Sequence, residues 1–193
     1  MLIIDKIVIK FKKKFYFLNK IRFGKFEKDS YYLKPLIITG PKNIYIENNV
    51  VILKGVRMEC YSNYAGVNLL PKLVIKKNTI IGYNFQCLVT CSCVIGENVL
   101  IASNVLITTE NHGIDPTFPY VIQPLISGEV IIGNNCWIGE KCVILPGVSI
   151  GENTIIGAGS IVTKSIPSNC IAVGNPAKVV KKYDVNERIW KNV

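Results

Sequence analysis

The sequence predicts an all-β chain wound as a parallel β-helix, and three observations carry that reading. Aliphatic residues recur every six positions, from Ile132 through Ile138, Ile144, Ile150 and Ile156 to Val162. Glycine follows four of them directly, at Gly133, Gly139, Gly151 and Gly157. The position four after each holds Cys136, Cys142, Val148, Thr154, Ser160 and Ile166, mostly small or β-branched. A period of six is neither the turn of an α-helix nor the alternation of an ordinary strand. It fits a chain that runs one short strand, turns by about 120° and repeats, so that three hexads close a triangular coil of about 18 residues.

The elements follow in chain order. Residues 1–35 hold ten Lys or Arg against three acids, and the run from Ile7 to Leu18 mixes lysines with aromatics. This segment reads as a basic cap on the first coil, with peripheral contact to an anionic membrane surface as its alternative. Residues 36–167 carry the helix. Its repeat is weak at Ile46, Ile52, Ile75 and Ile81 and clear at Ile95, Ile101 and Ile107. Asn98, Asn104, Asn134, Asn135 and Asn153 suit its turns, because asparagine tolerates left-handed backbone. The register fails twice, between Tyr61 and Lys72 and between Thr109 and Glu129. Each failure reads as a loop leaving the prism, and long loops in compact folds are usually functional. Residues 168–193 read as a basic tail with a short helix.

Composition narrows the function. The chain has 193 residues and a net charge of +10, and it is 49% hydrophobic. That is enough for one domain with a packed core. The charge sits at the ends, since the stretch between residues 36 and 163 has seven basic residues against eight acids. A nucleic-acid binder stripes its basic residues over its main surface, so no nucleic-acid partner is expected. No apolar run reaches the length of a membrane span, and Asp5 and Lys6 interrupt the start where a signal peptide would be apolar. A cytoplasmic protein is expected. Seven cysteines, an odd number, argue against a complete disulfide framework. With a single histidine, no His-rich zinc site can form within one chain, so no metal is expected.

That histidine opens the second loop, in Thr108-Thr109-Glu110-Asn111-His112-Gly113-Ile114-Asp115-Pro116. Imidazole is the natural general base near neutral pH. His112 closely follows the inward hexad at Ile107 and has two acids beside it.

Five stretches together resemble the hexapeptide-repeat acetyltransferases. They are Asn-His-Gly at 111–113, Val-Ile-Ile-Gly-Asn-Asn-Cys-Trp-Ile-Gly at 130–139 and Ile-Leu-Pro-Gly-Val-Ser-Ile-Gly at 144–151. Gly-Ala-Gly-Ser-Ile-Val-Thr-Lys at 157–164 and Val-Gly-Asn-Pro-Ala-Lys-Val-Val at 173–180 complete the set. The resemblance is specific from about Ile95 to Lys182 and is nearest to the branch of polysaccharide (O-antigen type) O-acetyltransferases. It implies a left-handed coil, a homotrimer with clefts between subunits, and acetyl-CoA as co-substrate. It implies direct transfer to a sugar hydroxyl with His112 as base and no acyl-enzyme. Glu110 and Asp115 are candidates to orient the imidazole. Trp137 would line the pantetheine tunnel. Ala158, Thr163 and Lys164 would touch pantetheine and nucleotide, and Lys178 and Lys181 the phosphates. Asn84 and Asn111 are the acceptor-binding candidates. Two departures stand out. The acceptor-contacting asparagine of sugar-acetylating relatives is poorly matched by Asn84, and Glu110 occupies the place of a second histidine.

Four other readings are weighed. N-acetylation of an amino sugar or nucleotide-sugar amine would use the same base. A non-catalytic β-helix scaffold would have no reason to keep both His112 and Trp137. Serine acetyltransferases carry a helical N-terminal domain that this sequence lacks. The zinc-dependent carbonic anhydrase type on the same fold needs at least two histidines from one chain, and this chain has one.

Overall fold

A computed structural model describes residues 18–193; residues 1–17, the first half of the expected cap or membrane segment, lie outside the described residues. A helical turn over 18–22 leads into a three-sided prism of parallel strands. Successive short strands visit three faces in rotation. The first face holds Lys25–Phe26, Ile44–Ile46, Lys72–Ile75, Ser92–Ile95, Val130–Ile132 and Ser149–Ile150. The second holds Tyr31–Tyr32, Val51–Ile52, Ile80–Ile81, Leu100–Ile101, Trp137–Ile138, Ile155–Ile156 and Cys170–Gly174. The third holds Ile37–Thr39, Arg57–Cys60, Gln86–Val89, Leu106–Thr108, Val143–Ile144 and Ile161–Val162.

Each hexad residue stacks on its counterpart in the next coil. On the first face the column is Phe26, Ile46, Ile75, Ile95, Ile132 and Ile150. On the second it is Tyr32, Ile52, Ile81, Ile101, Ile138, Ile156 and Ala172. On the third it is Ile38, Met58, Cys87, Ile107, Ile144 and Val162. All are buried except the half-buried Ile38. Burying one such aliphatic chain stabilises by about 1.5–3 kcal/mol, so the columns dominate the energetics.

The prism begins a full coil earlier than the expected boundary at residue 36. Phe26 and Tyr32 occupy hexad positions, and with Phe23 they form a tilted aromatic cluster inside the first coil. Aromatic residues standing in aliphatic positions hide the period there. The cap expectation therefore splits, because residues 25–35 are helix proper.

The position four after each first-face hexad, Ser30, Val50, Thr79, Val99, Cys136 and Thr154, is buried as well, as is Cys142 on the second face. Its small polar side chains close backbone hydrogen bonds between coils. Thr79 Oγ1 donates to the Gly96 carbonyl at 2.8 Å and Thr154 Oγ1 to that of Pro167 at 2.8 Å. Cys136 and Cys142 donate to the carbonyls of Gly151 and Gly157, each at 3.1 Å. All seven cysteines are unpaired thiols, and six are buried. Burial pushes the Cys60 thiol up to about 12, so it stays protonated and inert at neutral pH.

The corners differ in chemistry. Between first and second faces runs a ladder of asparagines, Asn49, Asn78, Asn98, Asn135, Asn153 and Asn169, all with φ near +60°. Each Nδ2 donates to the Oδ1 of the next at 3.0–3.1 Å. Between second and third faces stand Gly55, Asn84, Asn104, Lys141 and Gly159, again with positive φ. The glycines that follow hexads answer a different need: a Cβ on Gly133 would lie 2.7 Å from the Glu152 nitrogen of the next coil. Both excursions leave from the third corner, between third and first faces.

The expected C-terminal helix is absent. Cys170–Gly174, Ala177–Asp184 and Ile189–Asn192 form an antiparallel extension of the second face. Within it the paired valines Val179 and Val180 suit a strand, and the lysines on either side suit an exposed sheet edge. Asp184 then caps a turn, its Oδ1 accepting from the N–H groups of Asn186 and Glu187, and Arg188 takes positive φ. Tyr183 meets Trp190 edge-on across the hairpin. Among the described residues no helix is long and apolar enough to cross a membrane.

Replacing Asn98 tests the ladder. Asn98→Ala loses two amide hydrogen bonds and places an alanine at φ +56°. It should destabilise by about 1–2 kcal/mol in urea unfolding, whereas Asn98→Gly, free of the φ penalty, should cost less.

Candidate active site

The second excursion is a built structure. Glu110–His112 pairs antiparallel with Leu125–Ser127, placing His112 opposite Leu125. Hydroxyls anchor its root: Thr90 Oγ1 lies 2.8 Å from Ser127 Oγ, and the Thr90 N–H donates to Thr109 Oγ1 at 2.8 Å. The buried Gln123 staples its tip. Its Nε2 donates to the carbonyls of Asp115 and Phe118, and its Oε1 accepts from the Asp115 N–H at 3.0 Å. Gly113 is required beside it, because a Cβ there would sit 2.5 Å from Gln123 Oε1.

His112 is exposed at the end of this hairpin. Its Nδ1 lies 3.3 Å from the Tyr64 hydroxyl, and the two rings meet edge to face with centroids 5.5 Å apart. Tyr64 comes from the first excursion, where Asn63–Tyr64 and Val67–Asn68 form a small hairpin. The Tyr64 hydroxyl also donates to the Val121 carbonyl at 3.1 Å. The two loops, rooted two coils apart on one corner, thus meet at the imidazole. Among the described residues, Nε2 has no hydrogen-bond partner.

Neither acid expected to orient the ring touches it. Asp115 accepts from the Thr117 backbone N–H and hydroxyl, which hold its carboxyl below the usual range. Glu110 is partly buried, and desolvation raises its pKa against the attraction of His112 and Arg57. Next to it the buried Glu59 pairs with Arg57, whose Nη2 reaches the Tyr61 hydroxyl at 3.4 Å. Asn111 is exposed beside the histidine. Asn84 is a corner residue with φ +54° that donates to Asn104 Oδ1 at 3.2 Å. The corner accounts for it without an acceptor.

The residues expected at the donor divide between two regions. Thr163 and Lys164 are exposed on the third corner, further along the edge that carries His112. Trp137 is half exposed on the outer side of the second face, the face opposite that corner. Cross-strand pairing sets Trp137 in one outward row with Ile155, Ile171 and Lys181. The row spans about 14 Å at strand spacing. Ala158 sits at the second corner and Lys178 on the added strand of the second face, both exposed. One chain therefore does not bring Trp137 to His112.

Comparison with known proteins meets the same architecture. The family described as bacterial transferase hexapeptide (six repeats) matches residues 129–164. The galactoside O-acetyltransferase of Escherichia coli strain K12 is 35% identical over 162 residues, covering 84% of this chain and 71% of the relative. The chain belongs to the hexapeptide-repeat transferase family. WbbJ of the same strain, a protein whose name assigns it provisionally to O-acetyl transfer in lipopolysaccharide biosynthesis, is 41% identical over 108 residues. That match spans 52% of this chain and 55% of WbbJ. A solved galactoside acetyltransferase in complex with coenzyme A superposes with a TM-score of 0.55 at 25% identity, over 95% of this chain and 80% of the other. The prism of this hexapeptide-repeat transferase is accordingly the left-handed parallel β-helix. No group of three or more His, Cys, Asp or Glu that could hold a metal occurs among the described residues.

Tyr64, Val121 and Gln123 are not legible as site residues in the sequence. The only signal is that Tyr64 lies in a break of the hexapeptide register. Gln123 offers a direct check on the loop. Gln123→Ala should speed amide exchange at Asp115 by at least about tenfold while leaving the exchange of the prism columns unchanged.

Proposed function

We propose that this protein transfers an acetyl group from acetyl-CoA to a hydroxyl of a sugar or polysaccharide. The observation that carries the proposal is the sole histidine, exposed at the end of a stapled hairpin with its Nδ1 against Tyr64. The names of two of its relatives, both for O-acetyl transfer, support the hydroxyl acceptor.

The chemistry asked of the chain is modest. His112 Nε2 takes the proton of the acceptor hydroxyl as that oxygen attacks the thioester carbonyl. The tetrahedral oxyanion needs backbone N–H donors. Collapse breaks the carbon–sulfur bond, and the imidazolium returns its proton to the departing thiolate, so free CoA leaves as the thiol. No cysteine takes part, in keeping with the buried thiols inside the prism.

The donor fits the outward row on the second face. Trp137, Ile155 and Ile171 offer apolar area to a thin pantetheine arm, and Lys181 and Lys178 offer charge to phosphates. That row faces away from the chain's own His112. A homotrimer resolves the conflict, because the second face of one copy can lie against the third corner of its neighbour. The exposed stripe of Ile80, Leu100 and Trp137 on that face favours such a contact.

The test is acetyl-CoA turnover, read as thiol release against sugars, amino sugars and glycan acceptors, with light scattering for mass. His112→Ala should lower acceptor-dependent turnover at least about 10²-fold, and the particle should weigh about three times the 21.5 kDa chain. Unchanged turnover in the variant would remove the base. Turnover with amines alone would move the protein to N-acetylation.

A further inference from the structure

We infer that Tyr64 is a positioning residue that fixes the tautomer of His112, holding its proton on Nδ1 so that Nε2 is the basic nitrogen. This rests on the reading of His112 as the base.

Proton counting decides the assignment. A phenol has one hydrogen to give and lone pairs to receive. The Tyr64 oxygen lies 3.1 Å from the Val121 carbonyl oxygen and 3.3 Å from His112 Nδ1. A carbonyl can only accept, so the phenolic hydrogen belongs to Val121. If it turned to Nδ1 instead, two oxygens carrying lone pairs would face each other at 3.1 Å with no hydrogen between them. With the hydrogen committed, the phenolic oxygen can only accept from the imidazole. Nδ1 must then carry the proton, and Nε2 keeps its lone pair. Which ring nitrogen is protonated is set by the hydrogen bond the other makes, and here the chain supplies that bond.

Neither neighbouring carboxylate takes this role. Asp115 is turned to Thr117, and Glu110 makes no hydrogen bond to the ring. The edge-to-face contact of the two rings fixes the imidazole plane as well as its proton. The first excursion therefore serves the second, carrying a tyrosine across two coils to the histidine.

The histidine is the only one in the chain, which makes the test unusually direct. Its two ring nitrogens can be read by 15N NMR on the full protein at about pH 9, where an ordinary imidazole is neutral. The wild type should show a protonated Nδ1 and an unprotonated Nε2. Tyr64→Phe keeps the ring contact and removes the acceptor. In it the population should move towards the Nε2-protonated form, and kcat should fall roughly 10–100-fold with the KM for acetyl-CoA within about twofold.

A wild-type histidine protonated on Nε2 would overturn the inference with no variant needed. So would a tautomer, or a kcat, untouched by Tyr64→Phe. The NMR readout does not depend on turnover. Loss of the base reading, seen as an active His112→Ala, is thus distinguishable from loss of the tyrosine's role.

Discussion

The distance between successive coils is the constraint from which the rest follows. Parallel backbone hydrogen bonds hold neighbouring strands about 4.8 Å apart, and every side chain must fit that repeat. Inward columns fit by stacking like on like, as Ile81, Ile101 and Ile138 do. Corners fit by shedding Cβ atoms where the next coil's backbone passes close, as at Gly133. Polar atoms trapped inside fit by finding a carbonyl, one coil away for Thr79 and Cys142 and within the same coil for Ser160. Among the described residues no buried side-chain nitrogen or oxygen lacks a partner. Hydroxyls and thiols so placed satisfy carbonyls that would otherwise cost about 1–3 kcal/mol each.

How much of this the sequence discloses depends on whether the period is written in one residue type. From Ile95 to Val162 the hexads are nearly all isoleucine, and the column can be read directly. In the first coil the same positions hold Phe26 and Tyr32, which pack as an aromatic cluster. The period persists there while the chemistry changes, so the boundary expected at residue 36 falls a coil too late. At the other end, a valine pair flanked by lysines continues a sheet edge, and Asp184 makes a turn where the sequence suggests a helix.

The site is legible in its parts and not in its contacts. A lone histidine at a break in register is visible in one dimension. Its partner is not, because Tyr64 lies 48 residues away on another loop. The two nearby carboxylates are the natural candidates to orient the imidazole. A local turn holds Asp115 on Thr117, and Glu110, two residues before His112 on the same strand, attracts the imidazole through space but makes no hydrogen bond to it. Asn84 has the same explanation from the other side. Its residue type suggests recognition, whereas its φ of +54° and its hydrogen bond to Asn104 also suit a turn between coils.

The asparagine ladder and the two excursions divide the edges of the prism between them. One edge is stitched coil to coil by amides, and the next is crowded with positive-φ residues in register. Among the described residues extra chain leaves the prism at the third edge, where both hairpins emerge. Variation in this architecture is therefore channelled. Whole coils can be gained or lost without disturbing the amide chain, and new segments can grow at a single seam. A lineage of such proteins can exchange acceptors by rewriting that seam, while the remaining two edges keep the scaffold the same.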